Sequence, residues 1–230
     1  MLPIVYQDQH IIAINKPHGL LVHRSGIAND ATEFALQLLR NQINQKVYPA
    51  HRLDRKTSGV LIFALTSEAD TAMQMLFQER KINKTYLLVA RGYTDDEGTI
   101  DYPLRRDDGR TQNAITRYKT LDRFEIKVPF GKHSTSRYSL VEAYPETGRM
   151  HQIRKHFAHI FHPIIGDRAH GCNKQNKLFK DRWQMETMLL HASSVHFTHP
   201  ILEEEVTIEA ERSIEFQRTI DLLNLTLSTQ

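Results

Sequence analysis

The 230-residue chain has a single cysteine, Cys172, and a single tryptophan, Trp183. One cysteine cannot close an internal disulfide or build a thiolate metal cage. It suits a reducing compartment, and a cytoplasmic protein is expected. The opening residues, Met1-Leu2-Pro3-Ile4-Val5-Tyr6-Gln7-Asp8, lack the basic region and apolar core of a secretory signal. No apolar run approaches the ~20 residues that cross a bilayer, so no membrane partner is expected. Internal repeats and low-complexity stretches are also missing. The net charge is only +3, too small to mark a bulk polyanion binder. What remains is ordinary globular composition, 40% hydrophobic and 25% charged, enough for one domain over residues 1–230 with a sizeable core.

The distribution of charge says more than its sum. Acidic runs stand apart at Asp95-Asp96-Glu97 and Glu203-Glu204-Glu205. Cations gather at residues 52–56, at Arg105-Arg106, from Arg149 to Lys155 and from Lys174 to Arg182. A cation-lined cleft with acid kept elsewhere suits a phosphate backbone. Charge alone favours a solvated mixed surface. The thirteen histidines do not by themselves imply metal, because neutral imidazole also packs and hydrogen-bonds.

Ile4-Val5-Tyr6 and Ile11–Ile14 read as short strands. Pro17 and Gly19 then break the chain in Asn15-Lys16-Pro17-His18-Gly19-Leu20-Leu21-Val22-His23. Asp30 or Thr32 can cap a helix from about Glu33 to Asn44, and Ser67-Glu68-Ala69-Asp70 has the form of a capping box for a helix to about Gln78. Lys84–Gly92 is a strong strand. Ala114–Tyr118, Phe124–Val128 and Tyr138–Tyr144 read as an antiparallel meander, with Gly131–Arg137 as a polar hairpin loop that is either a solvated turn or a contact to RNA. Thr147 can cap a helix whose apolar stripe is Met150, Ile153, Phe157 and Ile160. The basic stretch 174–182, with Phe179 and Trp183, is compatible with RNA contact and equally with a surface helix. Leu189–Ala192 and Val195–Phe197 make one further strand, Val206–Ile208 is another, and Ser213–Leu225 is a closing helix.

Three stretches carry the chemistry. In His51-Arg52-Leu53-Asp54-Arg55-Lys56-Thr57-Ser58-Gly59 one carboxylate stands among cations, just before the apolar run Val60–Leu65. An acid placed ahead of a rigid buried strand is an acid held still. Lys84-Thr85-Tyr86 opens the next strong strand. Thr147-Gly148-Arg149-Met150-His151-Gln152-Ile153-Arg154 follows, and its helix carries no acidic residue, which argues against a zinc pair among His151, His156, His159 and His162. No metal is expected.

Together with Asn15–His23 and the run His162-Pro163-Ile164-Ile165-Gly166-Asp167, these stretches resemble the motifs of the RluA-type pseudouridine synthases from about residue 3 to about residue 210. The resemblance implies an α+β fold with a mixed, mostly antiparallel sheet, flanking helices and a central basic cleft. It implies Asp54 as the catalytic carboxylate, Tyr86 stacked on the target uracil, Arg154 paired with Asp54, and Ile153 packed against the base. Arg52 fills the gap left by the flipped uridine, while Lys16, Arg55 and Lys56 contact phosphate. The segment 15–23 buttresses the catalytic loop. The reaction needs no metal, redox partner or nucleotide cofactor. Many relatives carry an S4-type RNA-binding domain ahead of the catalytic part; here the first residues already read as catalytic-domain strand. Within the family the chain is most similar to the branch acting on the uridine at tRNA position 65, which implies tRNA as partner and a monomer. A ribosomal RNA uridine, or RNA binding without catalysis on the same fold, remain as alternatives.

Overall fold

A computed structural model describes residues 1–23, 32–106 and 108–225. In chain order the elements are β1 (Ile4–Gln7), β2 (Ile11–Lys16), α1 (Ala35–Ile43), β3 (Tyr48–Pro49), β4 (Ser58–Ala64), α2 (Ser67–Gln78), β5 (Asn83–Arg91) and β6 (Glu97–Asp101). They continue with β7 (Leu104–Arg105), β8 (Thr111–Gln112), β9 (Ile115–Ile126), β10 (Ser136–Pro145), α3 (Gln152–His159), α4 (Asn173–Trp183), β11 (Leu190–Thr198), β12 (Glu205–Glu209) and α5 (Ile214–Leu225). The chain divides into two compact units, Met1–Lys84 with His191–Glu211, and Thr85–Leu190 with Arg212–Gln230.

In the first unit β2 pairs antiparallel with β1 and β4, β3 pairs antiparallel with β4, and β11 pairs antiparallel with β12. A parallel pairing joins β4 to β11. All seven residues of β4 are buried, which is why the sequence there runs apolar without alternation. Ile11, Ala13, Val60, Ile62, Val195, Phe197, Val206 and Ile208 form the core with Met73 of α2. The cap of α2 is Thr66, whose hydroxyl accepts from the Ala69 N–H at 3.1 Å. That shifts the expected box by one residue, and Ser67 becomes the first residue of the helix. The cap position of α1 is Phe34, with no side-chain bond, so Thr32 does not cap it; Asp30, the other expected cap, lies outside the described residues.

In the second unit β5, β10, β9 and β6 are antiparallel neighbours in that order, and β7 and β8 make a small separate ladder. Successive residues of β5 serve opposite faces. Leu87 and Val89 join Phe124, Tyr138, Phe179, Phe216 and Ile220, so α4 and α5 cover one face. Leu88 and Ala90 join Val141, Ala143, Ile153 and Phe157, so α3 covers the other. Two expected strands are one, since β9 runs unbroken through Lys119–Arg123, paired to β10 on either side of a bulge at Leu140/Val141. That bulge is why the alternation in the sequence is only partial. The stretch 174–182 is a helix whose aromatics face inward: Phe179 is fully buried, with Trp183 edge-on to it at 4.8 Å. The mixed, mostly antiparallel α+β expectation is met: a parallel ladder joins antiparallel ones in the first unit, and the described ladders of the second are antiparallel. Among the described residues no helix is long and apolar enough to cross a membrane.

Candidate active site

Asp54 is half-buried at the start of a tight turn closed by the Thr57 N–H, which donates to its carbonyl at 3.0 Å. Each side of the turn is anchored. Before it, the His51 ring lies 4.9 Å from Phe77, and its Nε2 accepts from the Ile62 N–H at 3.1 Å. Burial, aided by the Lys84 charge, pushes this imidazole down to about 4, so it stays neutral as that bond requires. After the turn, Ser58 and Gly59 pair with His191 and Ala192 of β11. Gly59 has φ +109°, and a Cβ there would stand 2.1 Å from the Ala192 carbonyl oxygen. No other residue fits. The buried Ser58 hydroxyl bonds His191 Nδ1 at 2.9 Å, and His191 Nε2 donates to the Ala210 carbonyl at 3.0 Å.

The segment 15–23 grips the same turn. Lys16 has no exposed surface. Its Nζ donates to the carbonyls of Pro17, Leu20 and Arg55 at 3.0, 2.8 and 3.2 Å. The Gly19 N–H also donates to the Arg55 carbonyl, and Arg55 Nε donates back to the Gly19 carbonyl at 3.1 Å. The expected phosphate contact by Lys16 is therefore corrected: its ammonium points into the protein and organises main-chain carbonyls. Burial pushes it down to about 7, against the opposing pull of the Asp54 carboxylate. Arg52 and Arg55 are exposed and Lys56 partly so, positions open to a polyanion.

In the second unit Tyr86 lies half-buried near the start of β5, opposite Ala143. It packs on the cluster that includes Ile153, so the structure brings these two expected base contacts onto one apolar patch. Arg154 is 6% exposed and Asp167 only 1%. Arg154 Nε donates to Asp167 Oδ2 at 2.7 Å and Nη2 to Oδ1 at 2.8 Å, a two-pronged pair. Burial raises the Asp167 carboxyl, but Arg154 and the N–H groups of His170 and Ala169 outweigh it and hold it below the usual range.

Thr147 does not cap α3. The helix starts at Gln152 behind His151, which takes a left-handed φ of 57°. The Thr147 hydroxyl instead donates to Gln152 Oε1 at 2.6 Å and accepts from the Ile115 N–H at 3.2 Å. Gln152, 3% exposed, also accepts from the Arg149 N–H and donates to the Ile115 carbonyl and to Thr116 Oγ1. All four of its hydrogen-bonding positions are used. Met150 is 48% exposed and leaves the expected stripe.

The histidines have other partners. His151 bonds His170 at 2.9 Å, and His156 bridges Thr116 and the Tyr102 carbonyl. His159 stacks on Tyr102 at 3.6 Å, and His162 donates to the Arg91 carbonyl. Among the described residues no three His, Cys, Asp or Glu side chains are grouped to hold a metal. Sequence reading missed Asp167 as a partner of Arg154. Its signal was the closing Asp of the His162–Asp167 run, where Gly166, at φ +83°, lets the backbone pass the Thr187 carbonyl.

Residues 10–159 match the family described as RNA pseudouridylate synthase. The chain belongs to this family. Within the synthases, a protein of Vibrio parahaemolyticus called tRNA pseudouridine synthase C is 46% identical over 91% of this chain and 89% of its own length. A protein of the same name from Pasteurella multocida is 44% identical over 97% of this chain and 96% of its own length. Among solved structures, human RNA pseudouridylate synthase domain containing 4 is similar with a TM-score of 0.72 and 26% identity, covering 96% of this chain and 93% of that one. Human RNA pseudouridylate synthase domain containing 1, at 22% identity and a TM-score of 0.73, covers 97% of this chain and 95% of its own, and shares the fold.

Proposed function

We propose that this synthase is a tRNA pseudouridine synthase, an isomerase that converts a uridine of tRNA, the one at position 65, to pseudouridine. The observation that carries the reading is the near full-length similarity, at 43–46% identity, to relatives named tRNA pseudouridine synthase C. The reaction breaks the N1–C1′ bond, turns the uracil and joins C5 to C1′. The C5 proton leaves and N1 gains one, so the reaction balances without metal, redox partner or nucleotide cofactor.

Asp54 is the catalytic carboxylate. It either adds to the nucleoside or takes the C2′ proton, and both routes need an ionised acid held by a stiff turn. The Lys16, Gly19 and Arg55 contacts and the pairing of Gly59 supply that stiffness. Tyr86 stacks on the base and its hydroxyl takes up the C5 proton as it gives its own to solvent, and Ile153 closes the apolar side. Stacking of this kind is worth about 1–3 kcal/mol per base. Arg154, fixed by Asp167, supplies the positive charge that favours an ionised, oriented carboxylate. Arg52 fills the space of the flipped nucleotide, and Arg55 and Lys56 bind phosphate, offsetting a flipping cost of a few kcal/mol. The enzyme works as a monomer in the cytoplasm.

Tritium release from 5-³H-uridine-labelled RNA tests the reading, with bulk tRNA and ribosomal RNA assayed side by side. Release from tRNA alone, abolished in Asp54→Ala, is expected. Release from ribosomal RNA alone overturns the substrate, and release from neither overturns the enzyme.

A further inference from the structure

The hairpin loop between β9 and β10 lies outside the motifs of the reaction, yet it walls a cavity of about 530 Å³. Arg91 from the end of β5, Lys132, His133, Ser134 and Thr135 from the loop, and Arg137 from β10 line it. The loop shape follows from its sequence. Phe130 and His133 exchange both main-chain hydrogen bonds, at 3.0 and 3.1 Å, across Gly131-Lys132. Gly131 at φ +61° is the glycine such a two-residue turn calls for, and it places Lys132 at the exposed tip.

The charges do not cancel. The single acid in the lining, Glu125, is already taken: Thr135 donates to it at 2.6 Å, Tyr93 at 3.2 Å, and Arg137 pairs with it at 3.2 Å. Arg91 stands over the Phe130 ring at 5.4 Å, and neither Arg91 nor Lys132 has an ion-pair partner among the described residues. Two cations, a histidine and the Ser134 hydroxyl thus face a cavity with no acid left to satisfy them. Aromatic surface adjoins it. Tyr93 is 37% exposed, bonds the Glu125 carboxylate of the lining and carries the Arg137 guanidinium over its ring at 5.0 Å. Cations beside exposed rings are the surface of a nucleic-acid binder more than of a small-anion site.

This place is separate from the base-binding patch. Arg91 is five residues beyond Tyr86 on β5, about 16 Å along the strand. The odd spacing also puts it on the opposite face, that of Leu87 and Val89.

We propose that this pocket is a second RNA-binding site, in which Arg91 and Lys132, with the Ser134 hydroxyl, hold a backbone phosphate of the substrate RNA remote from the target uridine. The proposal rests on the tRNA reading above and adds where that RNA is gripped. Arg91 and Lys132 fix the phosphate by charge, so the site contributes affinity and register and not base identity.

Equilibrium binding of unlabelled tRNA, measured across a salt series, tests it independently of turnover. The double variant Arg91→Gln/Lys132→Glu is compared with Lys119→Gln, an exposed strand lysine elsewhere on β9. The pocket variant is expected to bind tRNA about tenfold more weakly, with a log K against log salt slope shallower by about one per cation removed, while Lys119→Gln matches the wild type. Lys132→Glu alone, at an exposed loop tip, should show about half the slope change and guards against misfolding of the double variant. Inorganic phosphate separates the two sources of the anion. Competition with tRNA that is lost in the variant supports an RNA phosphate in the pocket. Saturable phosphate binding with tRNA affinity unchanged by the variants overturns it, as do unchanged affinity and slope or a wild type that does not bind tRNA. Binding without tritium release counts against the catalytic reading alone.

Discussion

The Asp54 turn and the Arg154 region are both held rigid, by different means. Around Asp54 the ties run to main-chain atoms: three carbonyls on Lys16, reciprocal bonds between Gly19 and Arg55, and Gly59 against the Ala192 backbone. Around Arg154 the ties run between side chains: Thr147, Gln152, Thr116 and His156 in one network, Arg154 and Asp167 in a buried ion pair. Arg52 and Arg55 stand exposed and Lys56 partly so, as suits a loop that meets a polymer. Side-chain ties fix one guanidinium at a geometry that only its own partner can supply.

The two means should break differently. Asp167→Ala leaves a buried guanidinium without its carboxylate and is expected to lower unfolding free energy by about 3–5 kcal/mol, read by urea denaturation. An equal loss in Arg154→Met/Asp167→Leu would show that packing, not charge, is at stake. Gly59→Ala forces a methyl into the Ala192 carbonyl at a left-handed φ and should cost about 3 kcal/mol, with activity lost at least in proportion. Lys16 gives the sharpest contrast, because its two effects have opposite signs. Its pKa of about 7 in the fold lies below the ordinary 10.5, so the unfolded chain binds more protons between these values and Lys16's contribution to stability rises with pH there. Over the same interval the amine loses a donor and its charge, so the grip on the Arg55 carbonyl weakens. Single-turnover rate should fall above about pH 7 while thermal stability does not, and Lys16→Met should flatten both profiles. The smallest effect is Thr66→Ala, which removes only a helix cap outside the motif stretches: about 1 kcal/mol, with turnover unchanged.

Local pattern carried a good part of this to the sequence. The apolar run after Asp54 is β4, the Lys84–Gly92 strand is β5 within a residue at each end, and α2 ends at Gln78. Failures came where a side chain's partner is distant in the chain. Thr147 looked like a cap, but its hydroxyl is engaged by Ile115 and Gln152. Lys16 looked like a surface cation because nothing near it reveals that Arg55, 39 residues on, turns a carbonyl toward it. For Phe179 and Trp183 among basic residues the sequence left RNA contact and a surface helix open; the stretch is a helix, and its period turns both rings to the core. Tyr86, Ile153 and Asp54 were found through motif strings, whose meaning comes from resemblance and not from local physics.

The most direct test of the central claim is single-turnover conversion of tRNA by Asp54→Asn, run beside a tRNA-binding titration of the same protein. The substitution keeps the shape of the side chain and removes its charge. The expected result is conversion slower by at least about 10³-fold with tRNA affinity within a few-fold of wild type. Wild-type conversion by Asp54→Asn would contradict the account, because the carboxylate that the whole loop is built to hold would then have no part in the reaction.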